Sequence, residues 1–128
     1  MASILVIEDD EFFQSFLEMV LSSEGHQVRL CGDGRAGIDS AKSAAPDLIL
    51  CDMSMPLMTG FTVIRELKKI DGVKEVPVIA LSAHDTSADL DEAFEAGAAD
   101  YVTKPVAVVD LIFHINRALN GDLPPPGT

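Results

Sequence analysis

Four short apolar runs, at residues 4–7, 28–31, 48–51 and 76–81, punctuate the chain, and each is bounded by polar or turn-forming residues. Apart from Arg29 in the second, they are continuous rather than alternating, as in strands covered on both faces of a parallel sheet. A weaker fifth run covers 101–103. The segments between carry helical spacing instead. Phe12, Phe13, Phe16, Leu17, Val20 and Leu21 form one stripe, and Phe61, Ile64 and Leu67 a second. Leu90, Ala93 and Phe94 form a third that stops at Gly97, a residue suited to a left-handed helix end, and Leu111, Ile112, Ile115 and Leu119 form the last. A weaker helix over 36–45 is ended by Pro46. Strand and helix therefore alternate five times. Strict alternation with crossover-length helices predicts one α/β domain, a doubly wound (βα)5 parallel sheet with helices on both faces.

Composition narrows the function classes. The 128 residues are 48% hydrophobic and 23% charged, which is globular rather than disordered. About two-thirds of the chain's surface can be buried at this size, enough for a single core. The formal charge is −12. Nucleic-acid affinity rests on cationic side chains that release condensed counterions, so no direct nucleic-acid partner is expected. No run of 18 apolar residues occurs, so no membrane span is expected. The start, MASILVIEDD, lacks the basic segment of a secretory leader, which makes the cytoplasm the expected location. The histidines, His26, His84 and His114, are scattered and suggest no imidazole metal site.

In an open α/β sheet, ligands bind outside the carboxyl ends of the strands. There the chain places Glu8, Asp9, Asp10 and Glu11 after the first run, Asp52 after the third, Ser82 after the fourth, and Lys104 with Pro105 after the fifth. Singly, each suits a helix cap or a solvated loop. Together they gather charge at one rim. Two like charges 4 Å apart cost about 4 kcal/mol at an effective dielectric of 20, so Glu8, Asp9 and Asp52 need a counter-charge. Lys104 supplies one. An all-oxygen donor set points to Mg²⁺, or Mn²⁺, for the remainder. Mg²⁺ held by carboxylates commonly grips a phosphate as well, and Asp52 is a candidate nucleophile able to form an aspartyl-phosphate.

ILVIEDDE at the start, PDLILCDMSMPLMTG around Asp52, VPVIALSA ending in Ser82 and Ala83, and AGAADYVTKP around Lys104 together resemble the receiver domain of two-component response regulators, over roughly residues 3–120. The resemblance implies a flavodoxin-like sheet of strand order 2-1-3-4-5. It implies that Asp52 accepts a phosphoryl group from a histidine kinase or histidine phosphotransfer protein. Glu8, Asp9, Asp52 and the backbone carbonyl of Ser54 would hold Mg²⁺. Lys104 would pair with Asp52 and then with a phosphoryl oxygen. Ser82 would donate its hydroxyl to another, and Tyr101 would follow as an aromatic switch that alters the surface of the fourth helix, fifth strand and fifth helix. The Lys104–Pro105 peptide would be cis. Such a domain modifies only itself and is not an enzyme acting on other molecules. Its output passes to an effector protein or a C-terminal output domain, and phosphorylation can drive homodimerisation.

Two positions depart from the family pattern, Thr59 where aspartate is common and Val106 where phenylalanine is. Ser54 and His84, two residues beyond Asp52 and Ser82, occupy positions that tune dephosphorylation in the family. Residues 32–37 read GDGRAG, a match to the dinucleotide motif GxGxxG, but they follow the second run and not the first. A tight turn and helix entry, with Gly34 at positive φ, is the simpler expectation. In the implied strand order Cys31 and Cys51 stand about 9 to 10 Å apart across the first strand. A disulfide needs Cα atoms within about 7 Å, so both should be free thiols. A receiver domain is expected over 1–121, with the proline-rich 122–128 as a frayed end or the start of a linker. Two other functions fit the fold: a docking or dimerisation module independent of phosphorylation, and an aspartate-nucleophile phosphatase. The latter class usually carries a second acid where this chain has Ser54.

Overall fold

The computed structural model describes residues 1–122. All but the first residue of the proline-rich tail therefore lies outside the described residues. Five strands and five helices alternate: β1 (Ser3–Ile7), α1 (Glu11–Ser23), β2 (Gln27–Cys31), α2 (Gly34–Ser43), β3 (Leu48–Asp52), α3 (Gly60–Leu67), β4 (Val78–Ser82), α4 (Ser87–Ala96), β5 (Asp100–Thr103) and α5 (Val108–Asn120). All strand pairs are parallel, in the order β2-β1-β3-β4-β5. The expected fold class and strand order are those observed.

Each central strand splits its side chains between two cores, because successive residues of a strand face opposite ways. Leu5, Ile7, Ile49, Cys51, Val78 and Ala80 pack with Ile38, Val63, Ile64, Leu67 and Ala93 of α2, α3 and α4. Ile4, Val6, Leu48, Leu50, Ile79, Leu81 and Val102 pack with Leu17, Val20, Leu21, Leu111 and Ile115 of α1 and α5. Burial on both faces explains why the runs of β1, β3 and β4 are unbroken in sequence, whereas edge strand β2 is only partly covered and carries Arg29.

Three details differ from the sequence expectation. The fourth run begins at 76, yet β4 starts at Val78, because Pro77 has no N–H for the ladder and Val76 N–H bonds back to Val73 in a turn. Phe12 belongs to the α1 stripe by spacing but is 85% exposed, since it lies off the Leu17, Val20 and Leu21 face that meets the sheet. Gly34 does not adopt positive φ; among the described glycines only Gly25, Gly72, Gly97 and Gly121 do. It opens α2 within van der Waals distance of α3, and a Cβ there would stand 2.6 Å from Val63 Cγ2 and 3.0 Å from Met58 Sδ. Close approach, not turn geometry, is what Gly34 serves.

Both cysteines are free thiols. Cys31 and Cys51 align with Ile7 from opposite sides, so β1 separates them.

Candidate functional site

The parallel ladder runs past its strands into the rim. Glu8 N–H donates to Cys31 O (3.0 Å), Met53 N–H to Leu81 O (2.9 Å) and Lys104 N–H to Ser82 O (2.7 Å). These bonds fix the backbone where Glu8, Asp52, Ser82 and Lys104 emerge. Asp52 and Ser82 are thereby the last residues of β3 and β4 rather than the first of the loops that follow. The loop after β3 is tied down by Gly60 N–H on Met53 O (3.1 Å). The α1 entry is equally fixed. Asp10 caps the helix by accepting from Phe12 N–H, Asp10 N–H donates to Glu8 Oε2 (3.0 Å), and the Gln14 amide donates to the Glu8 carbonyl. The capping role weighed for Asp10 is the one it has.

Glu8, Asp9 and Asp52 each place a carboxylate oxygen within 4.8 Å of the others. Glu8 is fully buried and Asp52 is 4% exposed, while Asp9 faces solvent. Lys104 Nζ lies 2.5 Å from Glu8 Oε1 and 3.4 Å from Asp52 Oδ1. The lysine therefore leans toward Glu8, although the pairing implied by resemblance is with Asp52. Burial raises the Glu8 pKa, and the neighbouring Asp52 charge adds to that, against the lowering pull of Lys104 and the Asp10 N–H. Burial raises Asp52 as well, more than Lys104 and the Ser54 N–H lower it. Burial alone would lower Lys104, but its hydrogen bond to Glu8 and the charge of Asp52 outweigh that and raise it. The rim has more buried negative charge than its lysine neutralises.

The donor set fits a hard divalent cation. All candidate ligands are carboxylate oxygens. The nearby Cys51 thiol is driven well above its usual range by burial and then by Asp52 and Glu8, which leaves it protonated and no ligand. Beside this pocket, Ser82 is buried and its hydroxyl accepts from His84 N–H (3.0 Å). Tyr101 reaches the same loop, donating its hydroxyl to the His84 carbonyl (2.6 Å). Its pKa is raised, chiefly by burial. Ser82 and Tyr101 thus hold one turn of backbone between them. The Lys104–Pro105 peptide is cis.

Sequence reasoning missed two arrangements. Lys104 Nζ sits over the Phe13 ring, 4.5 Å from its centroid. Phe13 lies only three residues past Asp10, but nothing in a one-dimensional pattern says which face of α1 meets Lys104. The other arrangement is a buried charge cluster at the opposite end of β5. There Asp100 accepts from His114 Nδ1 (2.7 Å) and Arg117 Nη2 (3.0 Å). The spacing of His114 and Arg117, three apart on one helix, was its available signal. A cleft of about 530 Å³ at that same end touches His26, Asp47 and Asn116, but its one acid already accepts from Ser3 N–H. No helix among the described residues is long and apolar enough to cross a membrane.

Comparison with known proteins agrees with this geometry. A sequence model of the response regulator receiver domain matches residues 4–116. The transcriptional regulatory protein YkoG of Bacillus subtilis strain 168 is 37% identical over 116 residues, which cover 91% of this chain and 50% of that protein. The chemotaxis protein CheY4 of Vibrio cholerae superposes with a TM-score of 0.89 at 26% identity, covering 92% of this chain and 98% of that one. The receiver domain of the sensor histidine kinase PA1611 from Pseudomonas aeruginosa PAO1 superposes at 0.87 with 32% identity, covering 93% and 98%. Its structure has a magnesium ion coordinated in the active-site cleft. The chain spans about half or less of the length of the curated relatives it matches.

Proposed function

The chain belongs to the receiver-domain family of two-component response regulators, and from that membership we propose that Asp52 accepts a phosphoryl group from the phosphohistidine of a histidine kinase or histidine phosphotransfer protein. The observation that carries this reading is the rim itself, three carboxylates within 4.8 Å of one another, two of which share a single lysine. An Asp52 oxygen attacks phosphorus as the P–N bond breaks, and the departing imidazole takes its proton from solvent. Little covalent assistance is needed in such a transfer, so positioning and charge neutralisation dominate. Glu8, Asp9, Asp52 and the Ser54 carbonyl would hold Mg²⁺, or Mn²⁺, which supplies the missing positive charge and orients the phosphoryl oxygens.

Lys104 turns from Glu8 toward a phosphoryl oxygen. Ser82, released from His84 N–H, donates its hydroxyl to another. Tyr101, tied to the same His84 backbone, moves with it and changes the surface of α4, β5 and α5. An apolar groove of about 180 Å³ beside the rim, lined by Phe12, Phe13, Phe16, Pro105 and Val106, offers the phosphodonor protein a surface on which to rest. The work is done in the cytoplasm by a domain spanning 1–121. A separate effector protein or a phosphorylation-driven second copy of the chain reads the changed face.

Beryllofluoride, a phosphoryl mimic, tests the reading. With Mg²⁺ it is expected to shift the amide resonances of Ser82, Tyr101 and the α4, β5 and α5 face in the wild-type protein and not in Asp52→Asn. No saturable change in the wild type, or the same change in Asp52→Asn, overturns it.

A further inference from the structure

Three of the six phenylalanines fall in the first six residues of α1, and one of them touches the rim. Lys104 is 19% exposed, and three groups surround its ammonium: Glu8 Oε1 at 2.5 Å, Asp52 Oδ1 at 3.4 Å and the Phe13 ring at 4.5 Å from the centroid. The ring is itself fixed. Phe16 tilts against it at 5.6 Å, and the first turn of α1 is pinned by the Asp10 cap and by the Gln14 amide on the Glu8 carbonyl. An aliphatic side chain would fill the same space and exclude the same water. Only an aromatic face adds a negative quadrupole aimed at the cation.

We propose that Phe13 is a positioning residue for phosphoryl transfer, its ring face holding the Lys104 ammonium at the rim of the acidic pocket. Two carboxylates pull on that ammonium, and one of them must be given up when the phosphoryl group arrives. The ring has no such competitor. It keeps hold of the cation while Lys104 exchanges Glu8 for a phosphoryl oxygen, so the lysine does not swing into solvent between partners. The transfer role rests on the phosphoacceptor reading; the contact does not.

The test replaces Phe13 in the full chain with mono-, di- and trifluorinated phenylalanines, which keep the ring's shape while draining its face. Two readouts are taken: the ring-current shift of the Lys104 ε-methylene protons in metal-free protein, and the affinity for beryllofluoride with Mg²⁺. Both should fall stepwise with fluorine count, the affinity by about threefold to tenfold across the series, with the unfolding temperature unchanged. Phe13→Leu should lose both signals and Phe13→Tyr keep both. A methylene shift and an affinity that stay flat across the fluorinated series overturn the proposal, whatever Phe13→Leu does to folding. If even the wild type fails to bind the mimic, the phosphoacceptor reading and the transfer role fall together, and the methylene shift alone decides whether the ring holds the lysine.

Discussion

Buried carboxylates occur at both ends of the sheet, and they are treated in opposite ways. At the amino end of β5, Asp100 is 5% exposed and meets His114 Nδ1, Arg117 Nη2 and its neighbour's N–H from Tyr101 at 2.9 Å. One acid there has two basic partners on α5. At the carboxyl end of β1 and β3, Glu8 and Asp52 share a single lysine with Asp9 close by. In the first cluster both oxygens of the acid have donors, although Arg117 Nε is buried without a partner, and the contacts tie a helix to a strand. The second keeps a charge deficit that raises both of its buried acids. A buried charge met by partners within the chain serves the fold, whereas one left short has the chemistry that suits a divalent cation.

Breaking the Asp100 cluster should cost the most stability. Asp100→Ala leaves Arg117 facing an empty contact, and chemical denaturation should show a loss of about 3 kcal/mol with Mg²⁺ affinity unchanged. Filling the deficit comes next. Mg²⁺ at 100 times its dissociation constant should stabilise the wild type by about 2.7 kcal/mol, and Asp100→Ala should keep that increment while Asp52→Asn loses most of it. Removing the deficit without metal is a smaller effect of the opposite sense to most substitutions in a core. Asp52→Asn should raise the metal-free unfolding temperature by roughly 5 °C.

The pH dependence of that last gain sharpens the comparison further. Glu8 and Asp52 have ordinary values of 4.5 and 3.8, and both are raised in the folded protein. The folded chain therefore binds their protons more tightly than the unfolded chain does. Their contribution to stability is complete below the ordinary values and is lost as pH rises through the raised ones. The stability advantage of Asp52→Asn over the wild type should accordingly grow as pH climbs through that window and then level off. A metal-free advantage that is constant with pH would mean the two acids carry no such deficit.

Much of this was legible in sequence because it depends on local rules. Unbroken apolar runs announced β1, β3 and β4 as strands buried on both faces, and reading the residues after the first, third, fourth and fifth runs located Glu8, Asp9, Asp52, Ser82 and Lys104 at one rim. What could not be read was how long side chains divide among partners that are distant in sequence. Lys104 lies closer to Glu8, 96 residues away, than to Asp52, even though β3 stands nearer to β5 than β1 does. The Phe13 contact depends on the rotation of α1, which Asp10 and Gln14 set through bonds to the loop. Gly34 shows the same limit: its sequence context suggested a turn, and the crowding by Val63 and Met58 became visible only once α2 and α3 were packed.

Acetyl phosphate with Mg²⁺, followed by intact mass and peptide mapping of the full chain, tests the central claim most directly. A charge-deficient rim built to take a phosphoryl group predicts one phosphoryl per chain, mapped to Asp52, absent without Mg²⁺ and absent in Asp52→Asn, with Asp100→Asn loading as the wild type does. A wild-type chain that stays unmodified, or an Asp52→Asn chain that loads equally, would contradict it.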